Sequence, residues 1–294
     1  MNLNTITAVK RPAATDEIPR WQPGYAYLAG GTWLFSTPQV ATHTLIDLET
    51  LRWPALKLSS DGLEIAATCT IAELEQFQAP ANWSAAPLLK LCSHALLMSF
   101  KIYNAATVGG NICMSLPAGA MISLAASLEG VCTLWPQAGK SRKVSALDFV
   151  TGNHINVLEP GDLLRSIHLP ASALEKRFAF RRNSLTHLGR SAALLVGTRS
   201  KTGDDFTLTI TAATAKPMQL GFDRLPSTGA LRRTSRRDTQ QDRRRFHADD
   251  HCGDSQADAA RFRSSALHRR AAPRDRRRRQ GRGLVRRRAW LGGL

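Results

Sequence analysis

Two short segments decide the reading of this chain: Leu28-Ala29-Gly30-Gly31-Thr32-Trp33-Leu34 and Ala106-Thr107-Val108-Gly109-Gly110-Asn111-Ile112. Each pairs two glycines with a nearby threonine. Glycine lets a backbone approach a ligand with no Cβ in the way and permits positive φ. Successive exposed N–H groups then form an anion-binding concavity. The hydroxyls of Thr32 and Thr107 add hydrogen bonds to phosphate oxygen, and Asn111 both donates and accepts. Two such loops clamp one diphosphate from two sides. Each loop alone is a weak signal, since a lone Gly-Gly is more often a tight turn against a strand. The chain has no G-x-G-x-x-G and no Walker A sequence, so neither the Rossmann nor the P-loop solution applies.

Working outward, Tyr25–Leu28 is an extended apolar run, and the stretch after Gly31 reads as the start of a helix. Residues 44–48 and 63–67 read as strands, the second after the Asp61-Gly62 turn signal. Thr70 with Glu73 three residues on is a capping box opening a helix. Residues 86–103 have helical character, and Met121–Leu128 is apolar enough for a buried helix. Strands are expected at 131–135, 163–170, 178–180 and 206–210, with a small-residue helix at Ser191–Val196. The mix is α+β, with a boundary near 171–176.

The two glycine segments resemble the A-G-G-T-D-L and T-(I/V)-G-G-N-(I/L) loops of the flavin subunits of the molybdenum hydroxylases, the xanthine dehydrogenase and carbon monoxide dehydrogenase family. Between them, residues 45–48 (L-I-D-L) and 65–74 resemble two further family segments in the same order and spacing. The resemblance covers roughly residues 10–220 and is far more specific than either loop.

It implies a two-subdomain FAD-binding domain of the PCMH/VAO type over residues 1–170, with FAD between the α/β subdomains. An incomplete C-terminal flavoprotein domain follows at 174–220. By carry-over, Ala29, Gly30, Gly31, Thr32 and Trp33 from one loop cradle the FAD pyrophosphate. Thr107, Val108, Gly109, Gly110 and Asn111 do so from the other, and Leu164 touches the flavin or adenine side. The expected partners are a [2Fe–2S] small subunit and a large molybdopterin subunit, with electrons passing from the clusters through FAD to an acceptor. FAD carries the redox chemistry, so the scheme asks for no catalytic acid or base on this chain. The sequence departs from the family pattern at Ala120, where many members have Asp, and at Trp33, which replaces a small or acidic residue. Both departures touch the expected cofactor site.

Composition fits a cytoplasmic protein with reduced thiols. Five scattered cysteines without C-x-x-C exclude a local zinc or iron–sulfur cluster. No run of about 18 apolar residues is present, so no membrane span is expected. The histidines have no ligand spacing and read as surface or satisfied core residues, so no metal site is expected. Cys113 reads as a small buried residue, and Lys140, Arg142 and Lys143 as a solvated turn.

The formal net charge is +17, but it is unevenly spread. Residues 1–220 carry 19 basic and 15 acidic side chains, net +4, whereas 221–294 carry 21 and 8, net +13. In that last stretch every base is Arg, every acid is Asp, and Lys, Glu, Ile, Met, Asn and Tyr are missing. Residues with A/T-rich codons are depleted and those with G/C-rich codons enriched. This points to a reading-frame shift near residue 220 in a high-GC gene, and a disordered tail over 221–294. The alternative is an Arg-rich nucleic-acid arm built on runs such as Arg276–Arg279. Only Phe246, Phe262 and Trp290 stand near the arginines for base stacking, so a nucleic-acid partner is disfavoured. A third reading is a truncated, inactive flavin subunit.

Overall fold

The computed structural model describes residues 4–137, 139–203 and 205–223. The tail and the product of any frame change beyond residue 223 lie outside these.

The N-terminal segment forms a small parallel sheet from β1 (Ala8–Lys10), β2 (Tyr25–Leu28) and β3 (Thr44–Asp47), in the order β1-β3-β2. Thr44, Leu45 and Ile46 of the central strand are buried, as the apolar run requires. Strands β4 (Leu56–Ser59) and β5 (Gly62–Ala66) then form a hairpin. Helices α1 (Ile71–Gln76), α2 (Pro87–Ala95), α3 (Phe100–Tyr103), α4 (Val108–Cys113) and α5 (Ala120–Ser127) follow. The chain continues through β6 (Val131–Trp135), β7 (Arg142–Ser145), α6 (Ala146–Phe149) and the ribbon β8 (Val150–Gly152) with β9 (Ile155–Asn156). Strand β10 (Leu163–Pro170) completes a five-stranded antiparallel sheet of order β4-β5-β10-β6-β7.

A short α7 (Ala171–Leu174) leads into a four-stranded antiparallel sheet: β11 (Arg177–Ser184), β12 (Ser191–Arg199), β13 (Phe206–Thr211) and β14 (Met218–Phe222). All these elements belong to one compact unit, Met1–Arg232. Helix α5 is apolar nearly all round and every residue in it is buried, as a helix packed on all sides must be. It packs on α2, α4, β12 and β13.

The α+β class and the Thr70–Glu73 capping box are as the sequence indicates. Four local expectations are corrected. Residues 191–196 are not a helix but the start of β12, held between β11 and β13. The small residues Ser191, Ala192 and Ala193 have no strong local preference against a strand once two ladders compete for the backbone. The helical stretch 86–103 is broken into α2 and α3, with Leu97 at φ 52 in the break. No helix begins after Gly31: residues 32–36 are turns closed by Phe35 N–H to the Gly31 carbonyl at 2.8 Å. Arg142 is not in a solvated turn but on β7, where it donates to Asp162 at 2.7 Å and to the Val157 carbonyl at 2.8 Å. Among the described residues no helix is long and apolar enough to cross a membrane.

Candidate functional site

The first glycine pair ends β2. Gly30 lies flat against the backbone of Ala105: a Cβ there would sit 1.5 Å from the Ala105 carbonyl oxygen. Gly31 adopts φ +66, where L side chains are strained, and the Phe35 ring fills the space beside it. Among the described residues, the N–H groups of Gly30, Gly31, Thr32, Trp33 and Leu34 donate to no protein acceptor. Five consecutive open donors on a half-buried, partly left-handed turn could hold an anion.

The second pair does different work. It lies inside the first turns of α4 rather than in a loop. Val108 N–H donates to the Cys69 carbonyl at 2.8 Å and Gly109 N–H to the Ala67 carbonyl at 3.0 Å. Gly110 N–H is capped by the Thr107 hydroxyl oxygen at 3.0 Å. Gly109 is required by close packing, since its Cβ would fall 2.5 Å from the Cβ of Ala67. The segment therefore presents side chains and a bare backbone face, not N–H groups. Thr107 keeps its hydroxyl proton to donate. Asn111 accepts from Met121 N–H at 3.2 Å and so caps α5, leaving its amide nitrogen for the cleft.

Two clefts flank the contact between Gly30 and Ala105 and share Ala29, Gly30 and Thr107. One, of about 340 Å³, is mostly apolar. It holds Gly31, Thr32, Trp33, Gly110 and Asn111 together with Leu96, Met98 and Cys113. The other, of about 480 Å³, is polar and lined by Asp47, Arg52, Trp53, Thr68 and Glu73 among others. A larger groove near Arg20 and Trp135 meets this site only through Tyr27. Eight of the eleven sequence-predicted residues thus converge: Ala29, Gly30, Gly31, Thr32, Trp33, Thr107, Gly110 and Asn111. Val108 and Gly109 are buried behind them against β5. Leu164 is buried in the main core and lines neither cleft.

Residues 5–172 match the family model described as the FAD binding domain in molybdopterin dehydrogenase. The chain belongs to this family.

Solved structures share the fold. Quinoline 2-oxidoreductase from Pseudomonas putida 86 superposes with a TM-score of 0.64 at 20% identity, covering 79% of this chain and 85% of that one. Carbon monoxide dehydrogenase from Hydrogenophaga pseudoflava, in a form lacking the Mo-pyranopterin moiety, gives 0.64 at 19% identity over 73% and 77%. The reconstituted CO dehydrogenase of Oligotropha carboxidovorans gives 0.62 at 21% over 74% and 78%. No curated protein matches the chain.

As an FAD-binding domain of an oxidoreductase family, the chain has a site that fits the cofactor. A bare glycine cradle with open donors stands at the junction of a polar and an apolar cleft. An elongated ligand with a diphosphate at its middle has this same pattern of polarity. Ala120 is fully buried at the first turn of α5, and Trp33 stands 43% exposed at the apolar cleft. Burial pushes the Cys113 thiol up to about 12, aided by its neighbour Cys132, so it is a protonated, inert lining group.

Nothing in the local sequence marks Arg165. A bulge in β10 between Leu164 and Ser166 turns its guanidinium onto Trp53 at 4.2 Å and Trp135 at 5.4 Å. Desolvation lowers its pKa, and Glu64 opposes the shift. Only the tertiary pairing of residues 53, 135 and 165 makes this stack, so no local signal exists for it.

Proposed function

We propose that this chain is the flavin subunit of a heteromeric molybdenum hydroxylase. It would receive electrons from a [2Fe–2S] small subunit, whose partner is a large molybdopterin subunit, and pass them to an acceptor. The observation that carries the reading is the run of open N–H donors from Gly30 to Leu34 beside the Thr107 hydroxyl. FAD, when bound, supplies the two-electron and one-electron chemistry. The chain's own residues bind and orient it. The N–H groups of Gly30–Leu34 and the hydroxyl of Thr107 donate to the diphosphate. Asn111 adds its amide, and Leu96, Met98 and Leu116 exclude water from the apolar cleft. Trp33 also lines it. In this reading residues 1–170 are the FAD-binding domain and residues 174–220 begin a C-terminal domain that the Arg-rich stretch interrupts.

The test is to express the full chain with its partner subunits and read the flavin absorbance near ~450 nm. A yellow complex whose flavin is reduced by substrate supports the scheme. A colourless complex that takes up no FAD defeats it. Sequencing the gene around codon 220 in all three frames decides the tail: a continuation of the C-terminal domain in another frame supports the shift.

The +13 charge of residues 221–294 favours a second reading, in which the tail binds nucleic acid. DNA binding that weakens steeply with salt and disappears on deleting the tail would support it.

A further inference from the structure

Five tryptophans lie among the described residues, and four of them have ring partners. Trp21 packs with Tyr25 and Tyr27, and Trp83 with Phe77. Trp53 and Trp135 pack with each other and with Arg165. Among the described residues Trp33 has neither an aromatic nor a cationic partner, and it alone of the five is exposed. An indole left in water beside an apolar cleft forgoes the burial that makes tryptophan favourable. Its backbone is nonetheless held in place. The Trp33 carbonyl accepts from Ser36 N–H at 2.9 Å, from the Ser36 hydroxyl at 2.8 Å and from the Thr37 hydroxyl at 3.4 Å. With only two side-chain torsions left to fix, an indole offers a large contact area at a small entropic cost.

We propose that Trp33 stacks on a ring of the bound cofactor. One residue then serves two parts of the ligand: its N–H turns to the diphosphate, and its indole meets a ring joined to that diphosphate. The inference rests on reading the Gly30–Leu34 turn as the diphosphate site. Trp33 shares the smaller cleft with Leu96, Met98 and Leu116, apolar side chains that suit a flat heterocycle. Thr107 and Asn111 line the same cleft and can meet the polar edge of such a ring. FAD has two rings of this kind, flavin and adenine, and either stacks on an indole. The contact is not part of the family pattern, which has a small or acidic residue where this chain has Trp33. It gives this chain a hold on the cofactor that chains of that pattern lack. Stacking also removes the exposed indole from water, which the isolated chain leaves uncovered.

Titration of the full chain with FAD tests this, comparing the wild type with Trp33→Ser and Trp33→Phe. The first substitution supplies a small residue, as in the family pattern, and the second keeps a ring. Trp33→Ser should weaken FAD binding about tenfold with unchanged circular dichroism, and Trp33→Phe should recover most of the loss. If the Ser variant fails to fold, Trp33→Leu takes its place, and the same loss is expected because Leu is apolar but not planar. FMN and ADP then separate the two rings. A loss shared by FMN and absent with ADP puts the indole on the flavin, and the fluorescence of the bound flavin should rise on substitution. A loss shared by ADP and absent with FMN puts it on the adenine. Equal losses for FMN and ADP would mean that the substitution acts through the turn, and would overturn the proposal. So would equal FAD affinity in the wild type and the Ser variant, or a loss that Phe leaves in place. A wild-type chain that takes up no FAD defeats the diphosphate reading itself, and this contact with it.

Discussion

The two glycine pairs look alike in sequence and differ in what they do. At Gly30-Gly31 the backbone turns with positive φ and keeps a run of N–H groups open. Around Gly109-Gly110 the N–H groups of Val108, Gly109 and Gly110 are bonded to Cys69, Ala67 and Thr107, and Gly109 lets α4 press against the end of β5. In the proposed reading the first pair supplies donors to the ligand, and the second fixes the wall it lies against. A repeated motif therefore need not mean a repeated function. The decisive quantity is whether the backbone donors are already occupied.

The strongest way to break this comparison is Gly30→Ala. A Cβ placed 1.5 Å from a carbonyl oxygen cannot be absorbed by side-chain motion. The variant should lose about 3 kcal/mol or more of stability and retain no flavin after desalting. A stable, yellow Gly30→Ala protein would show that the two segments do not touch.

Next in size, Gly109→Ala should cost about 2 kcal/mol, read as a lower denaturant midpoint. Its folded fraction should still bind FAD with modest loss, because its N–H serves the fold. Gly31→Ala should show the opposite balance. The left-handed strain is about 1–2 kcal/mol, but FAD affinity should fall about tenfold or more. Equal affinity losses in the two variants would erase the distinction between donor and wall.

Thr107→Val separates cap from ligand contact. Losing the cap on Gly110 costs about 1 kcal/mol, and the diphosphate loses a hydroxyl donor. Thr107→Ser should restore both; failure of Ser to rescue FAD binding would point to the methyl group instead.

The smallest effect concerns Cys113. Its thiol is raised to about 12 by burial, so the protonated form is the one the fold favours. Below the ordinary thiol range its contribution to stability is fully present. It is lost as pH rises from there through about 12, because the unfolded chain releases the proton first. Alkylation by iodoacetamide should be slow at pH 8 and slower still with FAD bound. Rapid labelling at neutral pH would mean the cleft is open to water at α4.

Much of the fold was legible in the chain itself. Strands 131–135 and 163–170 follow directly from their apolar pattern, and the capping box at Thr70 announces α1. The errors lie where local and tertiary preferences disagree. Ser191–Val196 is a strand only because β11 and β13 hold both its edges. Arg142 reads as a surface cation until Asp162 folds back to meet it. The glycine and threonine residues of the site were visible as motifs. Asp47 lay in plain view within the L-I-D-L segment, yet Trp53, Met98 and Arg165 carried no local mark.

Sequence alone determined which backbone stretches lack a Cβ and where threonines stand beside them. It also placed +13 of the +17 net charge in residues 221–294, because composition needs no coordinates. The tertiary structure decided which glycine pair keeps its donors. A hydrogen bond from Gly109 to Ala67 depends on where β5 ends, not on the residues around Gly109. It likewise decided which side of the last sheet meets the core, since a period of two fixes alternation but not the side.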